Sequence, residues 1–199
     1  MSSLRGRRTR EARRPRPVFL LVGVVLAVAL GIGLFTGVGT GKNHSSGRPQ
    51  AGDQVPTFSL PNLRGGAPVG VPADGGGSGR PAVVLFFASW CGPCQKEVPV
   101  LAAAYHRQQA TKSPLAKVAL IGVAGSDPTA TALRFIRRSG VTFPVGADKT
   151  YKVTEGLFYF SSLPEAVFVN GDGVIAAVHY GALSKAELVQ WETRLVGRG

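Results

Sequence analysis

Between Val18 and Val38 the chain reads VFLLVGVVLAVALGIGLFTGV, 21 mostly apolar residues, and no charge appears again until Lys42. A helix of that length spans roughly 30 Å, the hydrocarbon thickness of a bilayer, so the pattern predicts one membrane-spanning helix over 18–38. The competing reading is a cleaved signal peptide, whose apolar core usually runs only ~7–15 residues and ends at an A-x-A-like site. No clear site of that kind follows Val38, and no cysteine lies near the segment to accept a lipid.

Downstream, shorter apolar runs alternate with helical spacing. Phe58–Leu60 reads as a short extended piece. Ala82–Ala88 (AVVLFFA) is continuous and β-rich, as expected of a strand buried on both faces. A helix is predicted from there to about Gln109, with Val98, Leu101, Ala102 and Tyr105 on one face. Val118–Ala124 is a second buried strand. Asp127 then reads as an N-cap, with Pro128 at the first helical position and Gly140 just past the end. Glu165–Asn170 and Val174–Tyr180 flank an Asn-Gly-Asp-Gly hairpin signal. Ser184-x-x-Glu187 is a capping box opening a helix that carries Leu188, Trp191 and Leu195. The order β-α-β-α-β-β-α predicts an α/β domain with a mixed sheet flanked by helices.

The polar, Gly- and Ser-rich stretch 39–55 reads as a tether, and the run from Gly65 to Gly79, with seven glycines and two prolines, as a mobile loop. The expected organisation is a basic segment over 1–17, an anchor over 18–38, a tether over 39–55 and a folded domain over 56–199.

Charge adds an orientation. The net charge is +12, from 23 basic and 11 acidic residues. Half of it comes from residues 1–17, which hold seven arginines and one glutamate. Arginines on that side of the anchor place 1–17 in the cytoplasm and the domain outside the cell membrane. A basic chain also invites a different class of function, a non-enzymatic protein binding anionic surfaces.

Two cysteines exclude a disulfide-dense scaffold and a four-cysteine zinc site. His44, His106 and His179 lack ligand spacing, so no metal is expected. The pair lies in Trp90-Cys91-Gly92-Pro93-Cys94, where a buried strand gives way to a helix. A helix N-terminus favours the thiolate, the nucleophile of disulfide exchange. Cys91, at the exposed end, is expected to attack, and Cys94, one turn deeper, to resolve. A purely structural disulfide here closes only a four-residue loop and stabilises little compared with the ~3 kcal/mol of a fifteen-residue loop. Glu97, three residues past Cys94, shares its helix face. If partly buried, it would exchange a proton with Cys94; the alternative is a solvated helix glutamate.

These motifs resemble the thioredoxin superfamily, and within it the membrane-tethered TlpA/ResA/CcmG (DsbE) group, over roughly residues 51–199. Gln95-Lys96-Glu97-Val98-Pro99 after Cys94 is similar to that group's Cys-x-x-Glu-x-Pro. Leu85 stands where thioredoxin carries a buried aspartate. Leu163-Pro164-Glu165 resembles the cis-proline segment, and Asn170-Gly-Asp-Gly-Val-Ile the hairpin after it. Gly92-Pro93 is instead the thioredoxin pair, a departure that bears on redox potential rather than fold.

The resemblance implies a thioredoxin-like fold, catalytic roles for Cys91, Cys94, Glu97 and Pro164, and a cis bond before Pro164, where residue statistics alone favour trans. It leaves the backbone of Leu163 to pair with an extended substrate. Trp90 is expected beside the site, a core position being the alternative. Glu165 is expected to help select partners, or to be an exposed strand acid. Phe158, Tyr159 and Phe160 line a peptide groove or pack in the core. The implied activity is a thiol–disulfide oxidoreductase that reduces the Cys-x-x-Cys-His segment of apocytochrome c. Its implied electron donor is a membrane thiol transporter of the CcdA/DsbD type, with no cofactor beyond the Cys91–Cys94 pair. The alternative direction is an oxidase forming disulfides in exported proteins.

Overall fold

Among the described residues, an unbroken run of full burial falls on Val83–Ala88, where every residue is 0% exposed. A computed structural model of the protein describes residues 47–71, 80–160 and 162–197. The segments read as basic arm and anchor, 1–38, lie outside the described residues. Among those described, no helix is long and apolar enough to cross a membrane.

In chain order the elements are β1 (Phe58–Leu60), β2 (Val69–Val71), β3 (Ala82–Phe87), α1 (Gly92–Ala110), β4 (Ala119–Gly125), α2 (Thr129–Arg138), β5 (Val145–Asp148), β6 (Glu165–Val169), β7 (Ile175–Tyr180) and α3 (Lys185–Val196), with a 3₁₀ turn at Pro114–Lys117. β3 to β7 form one five-stranded sheet in the order β5-β4-β3-β6-β7. β4 runs parallel to both β3 and β5, while β6 is antiparallel to both β3 and β7. The mixed sheet expected from the pattern is therefore present, and β3 lies at its centre.

Side chains alternate across each strand. Val83, Leu85 and Phe87 face one cluster, which α1, α2 and α3 fill with Val98, Leu101, Phe135, Ile136, Leu188 and Leu195. Val84 and Phe86 face the other, which contains Val55, Phe58, Val71, Val153 and Phe158. The second face is covered by the β1–β2 hairpin and the turns of 151–158, so the helices that flank the mixed sheet pack on the first.

Other departures have local causes. Val69–Val71, inside the run read as a mobile loop, pairs with Phe58–Leu60. Val69 and Val71 alternate around Gly70 and are buried, and Gly65 and Gly66 turn the chain at φ of 78° and 86°. β5 (VGAD) was not expected, because so short and small a strand is specified by its pairing with Gly122–Gly125. Residues read as the end of the tether lie against β7: Gly52 N–H donates to Ile175 O at 2.9 Å, and Ile175 N–H to Asp53 O at 2.9 Å. Their polarity serves an edge strand.

The caps mostly follow the pattern. Ser184 and Glu187 form the reciprocal box, at 2.8 and 3.2 Å. Gly140 takes φ of 66° past α2. Asp127, however, does not cap α2; Pro128 holds the N-cap position with no side-chain bond. α3 meets the sheet and α1 through a stacked Phe168–Trp191 pair, centroids 5.1 Å apart, and a buried Gln108–Glu192 hydrogen bond of 2.6 Å.

Two outcomes follow from this packing. A Cβ on Gly146 would stand 2.8 Å from Leu60 Cβ, so Gly146→Ala forces β1 from β5. The urea midpoint should fall by the equivalent of about 1–3 kcal/mol, and an unchanged midpoint would show that β1 shifts freely. Burial pushes the Glu192 carboxyl up to about 7, with the Gln108 bond opposing. The folded chain thus holds this proton more tightly than the unfolded one. Its stabilising effect is complete below the ordinary value of 4.5 and is lost as pH rises through about 7. Glu192→Gln should give a shallower decline in urea midpoint across that window, and an identical decline would mean that Glu192 ionises normally.

Candidate active site

β3 and β4 run parallel, so their C-terminal ends lie side by side, and the turn leaving β3 meets the turn leaving β4. There Ser89 and Asp127 join. The Ser89 N–H donates to Asp127 Oδ2 at 2.7 Å and its hydroxyl to Oδ1 at 2.6 Å. Gln95 Nε2 holds the carbonyl of Ser89 from the other side at 2.8 Å, and Cys91 N–H donates to Ala88 O at 3.2 Å. This is the physical reason that Asp127 does not cap α2: both of its oxygens are committed to the turn before the cysteines. Neither Ser89 nor Asp127 was expected as a site residue. The available signal was positional, an acid just past the parallel neighbour of β3.

Cys91 is itself the N-cap of α1. Its backbone is extended, and its Sγ accepts the Cys94 N–H at 3.2 Å, the place usually taken by a Ser or Asp oxygen. Cys91 and Cys94 form a disulfide with Cα atoms 5.2 Å apart. Cys91 is 5% exposed and Cys94 is 0%. The expected order of depth holds, although Cys91 is more covered than an exposed helix end suggests. Trp90 is 62% exposed and so stands outside the core, immediately beside the pair.

Glu97 is buried at 4% exposure, which removes the solvated alternative. Leu183 N–H, from the connection between β7 and α3, donates to its Oε1 at 2.7 Å. Its Oε2 is buried without a partner among the described residues. Burial pushes the carboxyl up to about 7, and the Leu183 hydrogen bond offsets part of that rise. Such a group is present in both protonation states near neutral pH.

On the neighbouring strand, Glu165 pairs with Phe86, one residue from the end of β3. That register sets Pro164 at the cysteine end of the sheet, and the Leu163–Pro164 bond is cis. Pro164 O accepts from Gly181 N–H at 2.9 Å, while neither backbone group of Leu163 has a backbone partner among the described residues. Glu165 is 1% exposed, so it is not an exposed strand acid. Burial raises its carboxyl to about 7, against the opposing charge of Arg48, whose Nη2 lies 3.5 Å from Oε2. The three aromatics before Pro164 divide. Phe158 is core, with ring contacts of 5.9 Å to Phe58 and 4.9 Å to Phe86, while Tyr159 is 53% exposed.

One end of the sheet thus gathers Trp90, Cys91, Cys94, Leu163, Pro164 and Glu165, with Glu97 on the same helix. Among the described residues, no three His, Cys, Asp or Glu side chains are placed to hold a metal ion.

Residues 51–178 match the AhpC/TSA family. Thiol-disulfide oxidoreductase ResA of Halalkalibacterium halodurans is 27% identical over 168 residues, 83% of this chain and 86% of its own. Thioredoxin-like protein YneN of Bacillus subtilis is 28% identical over 172 residues, 85% of this chain and 94% of its own. Among solved structures, DsbF of Mycobacterium tuberculosis is 29% identical with a TM-score of 0.58, covering 71% of this chain and 98% of that one. Thiol:disulfide interchange protein DsbE of Chlorobium tepidum, 23% identical with a TM-score of 0.62, covers 75% of this chain and 99% of its own and shares the fold. With a thioredoxin-like α/β fold and a Cys91–Cys94 pair at disulfide distance, the chain belongs to the AhpC/TSA family and is a thiol–disulfide oxidoreductase.

Proposed function

We propose that the protein is a membrane-anchored, extracytoplasmic reductase of protein disulfides that acts on the Cys-x-x-Cys-His segment of apocytochrome c. The observation that carries the redox mechanism is the sulfur cap: Cys91 Sγ sits where α1 presents the Cys94 N–H. A negative charge on that sulfur is met by an aligned donor and by the positive end of the helix dipole. The cytochrome substrate is supported by the 27% likeness to ResA and by the Glu97 and Pro164–Glu165 motifs. The location is supported by the apolar stretch 18–38 with arginines on its N-terminal side.

In the reduced protein the Cys91 thiolate attacks one sulfur of the substrate disulfide. A Cys91–substrate disulfide forms, the substrate bond breaks, and the departing substrate sulfur takes a proton. Glu97 then accepts the proton of Cys94. The Cys94 thiolate attacks Cys91 Sγ, closing the Cys91–Cys94 disulfide and releasing the second substrate sulfur. Two electrons pass from protein to substrate. A membrane dithiol donor of the CcdA/DsbD type returns them, since the chain contains only these two cysteines. The backbone of Leu163, without a backbone partner among the described residues, pairs with the extended substrate beside Pro164, and Trp90 covers it from the exposed side.

Two variants test these roles. Reduced Cys94→Ala, mixed with an oxidised Cys-x-x-Cys-His peptide, should accumulate a mixed disulfide on Cys91, visible as a mass increase of one peptide. No adduct, with turnover intact, would reject Cys91 as the nucleophile. Glu97→Gln should slow the resolving step on the order of 10²-fold and remove its pH inflection near 7. A profile that keeps the inflection would assign the proton transfer elsewhere.

A further inference from the structure

Arg48 stands ahead of β1 and lies 117 residues from Glu165 in sequence, yet three contacts converge on its guanidinium. Nη2 donates to Glu165 Oε2 at 3.5 Å, Nε donates to the Tyr159 carbonyl at 3.0 Å, and the central carbon stands 4.8 Å above the Tyr180 ring. The β6–β7 register sets Glu165 opposite Tyr180. A carboxylate, a carbonyl and a π face are the three groups a guanidinium engages best. All three come from residues 159–180, whereas the occupant comes from ahead of β1.

The pairing is unequal in depth. The Glu165 side chain is 2% exposed and that of Arg48 is 27%. Among the described residues no other cation forms an ion pair with Glu165. A carboxylate left unpaired at that depth is strongly disfavoured, so Arg48 leaves only when another cation or a proton replaces it.

The position matters more than the pairing itself. Glu165 directly follows Pro164, and neither backbone group of Leu163 has a backbone partner among the described residues. β6 begins at Glu165 and is paired on both edges there, so a segment that pairs with Leu163 passes the end of β6 where Glu165 stands.

We propose that Glu165, the Tyr180 ring and the Tyr159 carbonyl form a binding site for a basic side chain of the substrate polypeptide, which Arg48 fills from within the chain until substrate displaces it. The preferred substrates are disulfides with arginine or lysine close to the reacting cysteine, a spacing of two residues being the one tested. This inference rests on the disulfide-exchange reading for the nature of its ligand.

The test measures binding separately from chemistry. Two peptides carry serine for the reacting cysteine and differ only in having arginine or neutral citrulline two positions away. Each is titrated calorimetrically into the oxidised full-length protein and its Arg48→Gln and Glu165→Gln variants. Arg48→Gln should bind the arginine peptide about five- to tenfold more tightly than the citrulline peptide. The wild type should discriminate less, and Glu165→Gln should bind both alike. Equal binding of the two peptides by Arg48→Gln overturns the proposal, as does an equal gain for both, which would make Arg48 a steric cover. Arg48→Gln changes a partly exposed side chain and decides the matter alone should Glu165→Gln fail to fold. Exchange of the reduced wild type with hydroxyethyl disulfide is read in parallel. Its absence counts against the redox reading, whereas the peptide ratio counts for or against the basic-residue site.

Discussion

The burial of β3 is the constraint from which the rest of the structure descends. Six consecutive residues without solvent contact, Val83–Ala88, require cover on both faces and pairing on both edges. β4 and β6 supply the edges, the three helices one face, and the β1–β2 hairpin with the turns after β5 the other. Because β3 cannot move, the turn that leaves it is delivered to a defined place. Asp127, at the end of the adjoining parallel strand, fastens that turn through both carboxylate oxygens. The cysteine pair is thus positioned by the sheet rather than by its own four-residue ring.

Three acids near this end of the sheet show how surroundings divide one chemistry among several tasks. Asp127 is saturated by a backbone N–H and a hydroxyl, and acts as a fastener. Glu97 has one amide donor for two oxygens, so its protonation is finely balanced. Glu165 is as deeply placed, but a partly exposed cation from ahead of β1 reaches it. Burial is common to all three, and what differs is the number and mobility of their partners.

Much of this was legible from local pattern. The apolar run Ala82–Ala88, the face of α1, the Asn170–Gly173 hairpin and the Ser184–Glu187 box all report their structure through neighbours in sequence. The rest depended on partners far along the chain. β5 is a strand because β4 lies beside it, and Val69–Val71 because β1 does. Asp127 carried a credible capping signal that a bond to Ser89, 38 residues away, overrode. Helical spacing placed Glu97 on the face of Cys94, but its depth comes from Leu183, 86 residues on. Arg48 sat in a polar stretch whose composition suggested only a tether.

The sulfur that caps α1 has one further consequence. Oxidised, thiolate or joined to a substrate, Cys91 Sγ keeps a lone pair for the Cys94 N–H. In the disulfide form the first turn of the helix thus takes its cap acceptor from a sulfur of the pair. An oxygen-capped helix carrying a separate nucleophile would have two geometries to preserve during turnover. Here a single atom both closes the disulfide and caps the helix that carries its partner.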